Sequence, residues 1–299
     1  MNIEAFREEI LSNKRKKVIL DTDAYNEIDD QFCIAYLMKR TEEIELLSIN
    51  AAPFFNENST SAGDGMEKSY WEIFKIRDLT DPQSTIPVYR GSQNFLKDRN
   101  TAEESDACES IIKTVMESEE RITIIAIGAI TNVASAIIKC PEIAQRASVI
   151  WLGGHATHLR DGRVEFNLRG DIPAAQVVFD SGIDLVQIPC RGVCSVLSTT
   201  SHELEYYLRG KNAVCDYLVD NVVDVTRGKY AKSRVIWDVS AAAVILAKDS
   251  YRMEIRPRPR IRDDGIYDLT AEGALYLYVA EITRDAMLGD LFRTLTDER

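Results

Sequence analysis

Short runs of β-branched and other apolar residues alternate with longer helical patterns through the first two thirds of the chain. These runs lie at residues 18–20, 44–49, 122–127, 148–152 and 184–188. Short apolar runs separated by helices are typical of βαβ units, in which successive strands lie parallel in one sheet. The alternation therefore predicts an α/β fold with a mostly parallel, twisted, open sheet and helices on both faces.

Two of the intervening segments carry clear helical signals. Residues 30–40 are apolar on nearly all sides, as expected of a helix buried against a sheet. Residues 172–181 have Pro173 in their first turn and Gly182 just past their end, which are favoured positions for these two residue types. After residue 192 the alternation weakens, and the remaining helical stretches lie near residues 201–208 and 213–228.

Length and composition predict one large domain. At 299 residues the chain is within the size of α/β proteins built around a single sheet, so we expect one domain over residues 1–299. No apolar run approaches the roughly 18 to 20 residues that cross a bilayer, and we therefore expect no membrane association. The first 17 residues lack the apolar segment of an export signal, which makes a cytoplasmic location the expectation.

Net charge limits the kinds of ligand that the chain can bind, and the cysteine pattern indicates the state of the thiols. A net charge of −12 argues against a nucleic-acid ligand, because phosphate binding needs clustered Lys and Arg. A small neutral molecule or a cation fits better. The six cysteines are scattered through apolar surroundings in neither a zinc spacing nor a disulfide framework, so we expect reduced, mostly buried thiols.

Five carboxylates follow the first predicted strand within ten residues. They are Asp21, Asp23, Glu27, Asp29 and Asp30. Ligands of open α/β sheets bind beyond the carboxyl ends of the strands, and like charges packed there repel one another unless a cation neutralises them. A set of oxygen ligands without His or Cys favours Ca²⁺ or Mg²⁺ over zinc. The alternative is that Asp29 or Asp30 only caps the next helix while the others face water.

Three further segments add polar groups after strands or at helix starts, and with the first they form an ordered set of four blocks. The blocks are Asp21-Thr22-Asp23 with Asp29-Asp30, Gly128-Ala129-Ile130-Thr131-Asn132, Glu165-Phe166-Asn167 with Asp171, and Trp237-Asp238. In residue type and order they resemble the inosine-uridine type nucleoside hydrolases. The resemblance implies an enzyme that uses Ca²⁺ to hydrolyse the N-glycosidic bond of a small-molecule ribonucleoside to free base and ribose. It also implies assembly into a homodimer or homotetramer.

The resemblance assigns a metal-binding role to four positions. Asp23 would contact the Ca²⁺ and act as the catalytic general base that accepts a proton from water. Asp30 would hold the metal with both carboxylate oxygens. The backbone carbonyl of Ile127 and the carboxylate of Asp238 would complete the protein ligands.

The substrate-binding positions follow from the same resemblance. Asp29, Glu165 and Asn167 would hold the ribose hydroxyls, together with Asp238. Trp237 stands where many family members carry a histidine that protonates the leaving base. An indole supplies no proton at neutral pH but stacks on a base, which favours a large purine and a role in purine salvage.

The sequence also departs from the family pattern. The loop at residues 24–28 is two residues longer than usual, and the Gly-Asn expected after the second strand is absent. Asn56 or Asn58 is left to supply that polar contact, and the residues alone do not choose between them. His155 and His158 follow a Gly-Gly pair at a strand end and are the other candidates for the acid that protonates the base.

Two other functions remain open from the residues alone. Asp21-Thr22-Asp23 also matches the D-x-D nucleophile motif of aspartyl-phosphate phosphatases, although that assignment leaves the block at residues 165–167 unexplained. The altered loop at residues 24–28 is compatible with a nucleoside- or ribose-binding protein that has lost turnover.

Overall fold

The computed structural model describes residues 2–270 and 273–298. The helices are α1 (Ile3–Leu11), α2 (Asp30–Met38), α3 (Ala62–Thr80), α4 (Asp106–Glu117), α5 (Thr131–Lys139), α6 (Ile143–Arg146), α7 (Phe166–Gly170), α8 (Ile172–Asp180), α9 (Ser201–Tyr207), α10 (Ala213–Thr226), α11 (Val239–Leu246) and α12 (Arg284–Leu295). The strands are β1 (Lys16–Thr22), β2 (Ile44–Ala51), β3 (Val88–Tyr89), β4 (Ile122–Ala126), β5 (Ala147–Leu152), β6 (Asp184–Ile188), β7 (Ser198–Thr199), β8 (Arg234–Val235), β9 (Tyr251–Pro257), β10 (Arg260–Ile261), β11 (Tyr267–Asp268) and β12 (Leu275–Ile282).

An eight-stranded open sheet organises the molecule, with the order β3-β2-β1-β4-β5-β6-β12-β9. Every neighbouring pair is parallel except β12 and β9, which pair antiparallel at one edge. The chain moves from β1 outward to β3 and then returns to place β4 on the other side of β1. The carboxyl ends of β1 and β4 therefore border a topological switch point, which is where open α/β sheets bind ligands.

Alternate side chains of the central strands enter two separate cores. Val18 and Leu20 of β1 pack in one core, which the helices α1, α2, α10, α11 and α12 cover. Ile19 of β1 and Trp151 of β5 pack in the other core, under α4, α5 and α8. Since side chains alternate across a strand, a sheet buried on both faces reads as a continuous apolar run. This explains the runs in the sequence and confirms the predicted fold class.

Three strands of the main sheet were not predicted: the two-residue strand β3, and the strands β9 and β12. β9 and β12 lie in the region where the alternation weakens, and β12 inserts beside β6 while β9 forms the antiparallel edge. β9 carries Arg252, Glu254 and Arg256 on an edge, so its pattern is not the apolar run that marks a central strand. The predicted helix at residues 30–40 ends at Met38, because Arg40 turns back to donate its N–H to Leu37.

The structure also describes the cysteines and the character of the helices. All six cysteines are free, and only Cys140 is more than marginally accessible. None of the helices within residues 2–270 and 273–298 has the length and apolar character needed to span a membrane.

Candidate active site

Three carboxylates from two distant segments converge at the switch point. Asp29 precedes α2, Asp30 begins it, and Asp238 precedes α11. Their carboxylate oxygens lie within 4.8 Å of one another, and all three side chains are buried. The structure thus brings Asp30 and Asp238 together, as the resemblance implies. It adds Asp29, which the sequence interpretation gave to the ribose, to the same group of potential metal ligands.

Asp23 lies just beyond the end of β1, beside this group. Its side chain is 1% exposed, and neither carboxylate oxygen has a hydrogen-bond partner among the described residues. Gly128 lies against it, since a Cβ at that position would be 2.9 Å from the Asp23 Cγ. A buried carboxylate without partners is costly unless a cation, a proton or a ligand hydroxyl meets it. The geometry thus leaves both oxygens of Asp23 available to a ligand.

The electrostatics of the four carboxyl groups favour a bound cation. Burial is the largest cause in every case, and it raises the pKa of Asp29 to about 8 and that of Asp30 to about 6. Burial, reinforced by Asp29 and Asp30, also raises the pKa of Asp23 and Asp238 well above the ordinary value. Arg234 forms an ion pair with Glu27 at the rim. An all-oxygen donor set of this charge suits a hard divalent ion such as Ca²⁺.

Asn167 ties the cleft wall to two strand ends. Its Nδ2 donates to the carbonyl of Ile127 at 2.9 Å and to that of Leu152 at 3.0 Å. The Ile127 carbonyl has a second lone pair, so this hydrogen bond leaves one position for a metal. Asn167 and Ile127 are therefore adjacent at the same cleft, while their roles as sugar and metal ligands stay predictions.

Glu165 has a local structural role that the sequence interpretation missed. It caps α7, with Oε1 accepting the N–H of Asn167 at 2.9 Å and Oε2 accepting that of Leu168 at 3.0 Å. Oε2 also accepts the N–H of Gly154 at 2.9 Å. The carboxylate thus orients the start of α7 and the turn after β5. Glutamate is not one of the residues that usually cap helices, so no local sequence signal indicates this role.

A second set of polar residues forms a buried hydrogen-bond network at the end of β1, next to Asp23. Asp21 is fully buried, and its Oδ1 accepts a hydrogen bond from Asn132 Nδ2 at 2.8 Å. Asn132 in turn accepts the N–H of Ser92 at 2.8 Å. Burial raises the pKa of Asp21 to about 7. Asp21 is enclosed and already hydrogen-bonded, so it is poorly placed to act as the nucleophile of a D-x-D phosphatase.

Asp171, the last residue of the third block, is likewise structural. It caps α8 by accepting the N–H of Ala174 at 2.9 Å. Its other oxygen accepts the N–H of Leu96 at 2.8 Å and the hydroxyl of Thr131 at 2.7 Å. These bonds tie α8 to the start of α5.

The carboxylates lie in a cleft of about 510 Å³. Trp237 lines it with a half-buried indole, and its backbone N–H donates to Asp29 at 3.0 Å. Asn56 also lines the cleft, whereas Asn58 is exposed outside it. Both asparagine side chains donate to Asn26 and hold the longer loop in place.

The two histidines of the Gly-Gly turn separate in space. His155 lines the cleft, and its Nδ1 accepts the backbone N–H of Arg191 at 3.4 Å. His158 is exposed and is not among the cleft residues, which corrects its candidacy as the acid. Burial, followed by the Arg191 guanidinium, lowers the pKa of His155. The lower pKa leaves a smaller fraction of His155 protonated at neutral pH than an exposed histidine has.

Comparison with a protein-family model identifies the family to which the chain belongs. The model described as inosine-uridine preferring nucleoside hydrolase matches residues 18–287. The chain belongs to this family. The match includes the block at residues 165–167, which the D-x-D phosphatase interpretation leaves unexplained. The extent of the single domain, residues 1–299, stays a prediction.

Individual nucleoside hydrolases illustrate the range of the family. Probable uridine nucleosidase 2 of Arabidopsis thaliana is 26% identical over 71% of this chain and 70% of its own length. The non-specific ribonucleoside hydrolase RihC of Escherichia coli is 34% identical over 58% of this chain, and the match spans only 60% of that protein. The purine-preferring ribonucleoside hydrolase from Gardnerella vaginalis superposes with a TM-score of 0.77 at 18% identity, covering 94% of this chain and 98% of that one. At that identity the superposition supports the fold alone.

Proposed function

We propose that the protein hydrolyses the N-glycosidic bond of a ribonucleoside to free base and ribose, and that it requires Ca²⁺. The observation that carries the proposal is the pair of unpartnered Asp23 oxygens beside the buried carboxylates of Asp29, Asp30 and Asp238. A bound Ca²⁺ would acidify an attacking water and help to orient the ribose. Asp23, Asp30, Asp238 and the Ile127 carbonyl are the proposed ligands, and Asp29 lies close enough to join them.

The chain's own residues supply the remaining chemistry. Asp23 accepts the proton of the attacking water, and its buried oxygens have no competing donor among the described residues. Cleavage develops oxocarbenium character on the sugar, which surrounding carboxylates stabilise. Asp29 and Asn167 hold the ribose hydroxyls, and Glu165 keeps Asn167 in position through its N-cap contacts.

The proposed base preference is for purines and rests on Trp237. We expect Trp237→Ala to lower kcat/KM for a purine ribonucleoside by roughly 5- to 150-fold, since base–aromatic stacking contributes about 1 to 3 kcal/mol. p-Nitrophenyl riboside should lose much less, because its leaving group needs neither stacking nor protonation. Steady-state kinetics on both substrates make the comparison. If His155→Gln, and not Trp237→Ala, selectively lowers kcat/KM for the purine ribonucleoside, then His155 and not Trp237 assists departure of the base.

The pH dependence of calcium binding provides another prediction. The raised pKa values mean that, without a cation, the folded protein binds protons more tightly than the unfolded chain. Its stability therefore falls as the pH rises from about 4 through about 8. Because Ca²⁺ must displace these protons, the increase in Tm on adding CaCl₂ to chelator-treated protein should grow between pH 5.5 and 8.5. Thermal melts at several pH values measure this, and Asp238→Asn should flatten the trend. An increase in Tm that is independent of pH in the unmodified protein would contradict the assignment.

A product assay tests the function itself. Purified protein with CaCl₂ is incubated with a panel of nucleosides and nucleotides, and free base, reducing sugar and phosphate are measured. Equal amounts of base and ribose from ribonucleosides are expected. Saturable nucleoside binding with no base release would favour a binding protein, which the longer loop at residues 24–28 keeps as the second candidate. A cytoplasmic location and assembly into dimers or tetramers stay predictions.

A further inference from the structure

A second cavity, which we call the side pocket, borders the cleft. This cavity has a volume of about 190 Å³ and shares Phe55, Phe166 and Arg169 with the cleft. Its remaining lining residues are Pro53, Phe54, Phe95, Ala129 and Gly170. The side pocket therefore lies against the proposed nucleoside site, and the residues that line it are mostly apolar and aromatic, whereas those near the group of carboxylates are acidic.

The segment after β2 forms one wall of the side pocket, and contacts with neighbouring residues hold this segment in place. Phe54 is 1% exposed, and its carbonyl accepts the Ser59 hydroxyl at 3.2 Å. Helix α3 packs directly against it, because a Cβ on Gly65 would lie 2.1 Å from the Phe54 carbonyl oxygen. Phe55, next in the chain, is 59% exposed and contributes to both the cleft and the pocket. The backbone that presents Phe55 is thus fixed before any ligand arrives.

The size and chemistry of the side pocket define its occupant. An apolar protein cavity of roughly 150 Å³ is large enough to hold benzene, so about 190 Å³ accepts a phenyl ring. Arg169 is the one charged residue that lines it. Its guanidinium carbon lies 5.7 Å from the centre of the Phe166 ring, a cation–π distance. An aromatic substituent would therefore meet several aromatic rings and the guanidinium of Arg169.

We propose that the side pocket receives an apolar substituent, of about the size of a phenyl ring, carried by the base of the nucleoside substrate. The proposal rests on the proposed function, since the acidic end of the cleft must hold the ribose for the base to reach the pocket. It explains why two consecutive phenylalanines occupy the segment after β2, where the sequence departs from the family pattern. The substrate class is then a base-substituted purine ribonucleoside.

The test compares adenosine with N⁶-benzyladenosine. Gly170 borders the pocket, and a Cβ there would lie 3.3 Å from the Ala129 Cβ and 3.8 Å from the Phe95 ring. A larger side chain at this position therefore grows into the pocket. We expect the unmodified protein to cleave N⁶-benzyladenosine with a kcat/KM at least equal to that for adenosine. Gly170→Val should lower the value for the benzyl substrate by roughly 10-fold or more, the scale set by pocket contacts of this size. Adenosine should change by less than about twofold.

Two further variants keep the test decisive. Gly170→Ala is the matched control and should have little effect on either substrate, because its Cβ, 3.3 Å from the Ala129 Cβ, requires only a small local shift. Phe95→Ala removes one wall without touching the cleft residues, so it too should weaken only the benzyl substrate. Equal losses on both substrates, or failure of the unmodified protein to cleave N⁶-benzyladenosine while it cleaves adenosine, would overturn the proposal.

Calorimetry separates this proposal from the proposed function. If neither nucleoside is cleaved, the proposed hydrolysis fails, and the two binding affinities still test the side pocket. Tighter binding of N⁶-benzyladenosine that is lost in Gly170→Val supports the pocket. Weaker binding of N⁶-benzyladenosine than of adenosine by the unmodified protein refutes it.

Discussion

Asp23→Asn is expected to lower kcat for ribonucleoside hydrolysis by about 10²- to 10⁴-fold, the usual range for loss of a general base. The amide is nearly the same size as the carboxylate, so the buried position beside Gly128 remains filled. It has far less basicity, and it presents two N–H donors in a cluster that would bind a cation. Stopped-time assays of free base under saturating substrate measure the effect, and a thermal melt checks that the variant is folded.

Glu57→Gln is the matched control for this change. Glu57 also lines the cleft, but it is exposed and lies outside the buried group of carboxylates. Its replacement should alter kcat by less than about threefold, because an exposed charge in water interacts weakly. Turnover of Asp23→Asn close to that of the unmodified protein would remove Asp23 from the mechanism.

Loss of the 2′-hydroxyl should be the second large effect. A 2′-deoxyribonucleoside is expected to have a kcat/KM lower by on the order of 10⁴-fold than its ribonucleoside, as in sites built to hydrogen-bond a substrate hydroxyl. The physical reason is that buried acceptors and any bound cation lose a ligand oxygen and are left unpaired. Parallel assays on inosine and 2′-deoxyinosine measure the ratio.

The ratio of kcat/KM for inosine to that for 2′-deoxyinosine also tests the role of Asp29, which we assign to the ribose hydroxyls. In Asp29→Asn the ribonucleoside should lose far more activity than the deoxyribonucleoside, so the discrimination between them should shrink. Equal cleavage of both sugars by the unmodified protein would mean that the hydroxyls are not recognised in this cleft.

The sequence predicts the architecture and the location of the site because both depend on local signals. Apolar runs that alternate with helices specify a parallel sheet, and the carboxyl ends of parallel strands meet at one edge. Asp23 and Asp30 follow β1 at that edge, and the structure brings Asp238 to the same place. The family match over residues 18–287 is consistent with the four blocks from which the resemblance was read.

The features missed from sequence depend on long-range contacts. The position of Asp29 within the carboxylate group follows from how α11 packs against α2, which no local pattern encodes. The pairing of β12 with β6 joins segments about 90 residues apart. His155 and His158 are three residues apart and equivalent in sequence, yet the turn directs only His155 into the cleft. Side-chain direction in an irregular loop is set by tertiary contacts, which explains why the two could not be separated.

The most direct test of the central claim measures calcium binding and hydrolysis on the same preparation. Protein stripped with a chelator and dialysed is titrated with CaCl₂ by calorimetry, and release of free base from inosine is assayed at each point of the titration. We expect one Ca²⁺ per chain, base release that rises in parallel with occupancy, and loss of both in Asp238→Asn. Full base release by the stripped protein in excess chelator, with no heat of calcium binding, would contradict the central claim.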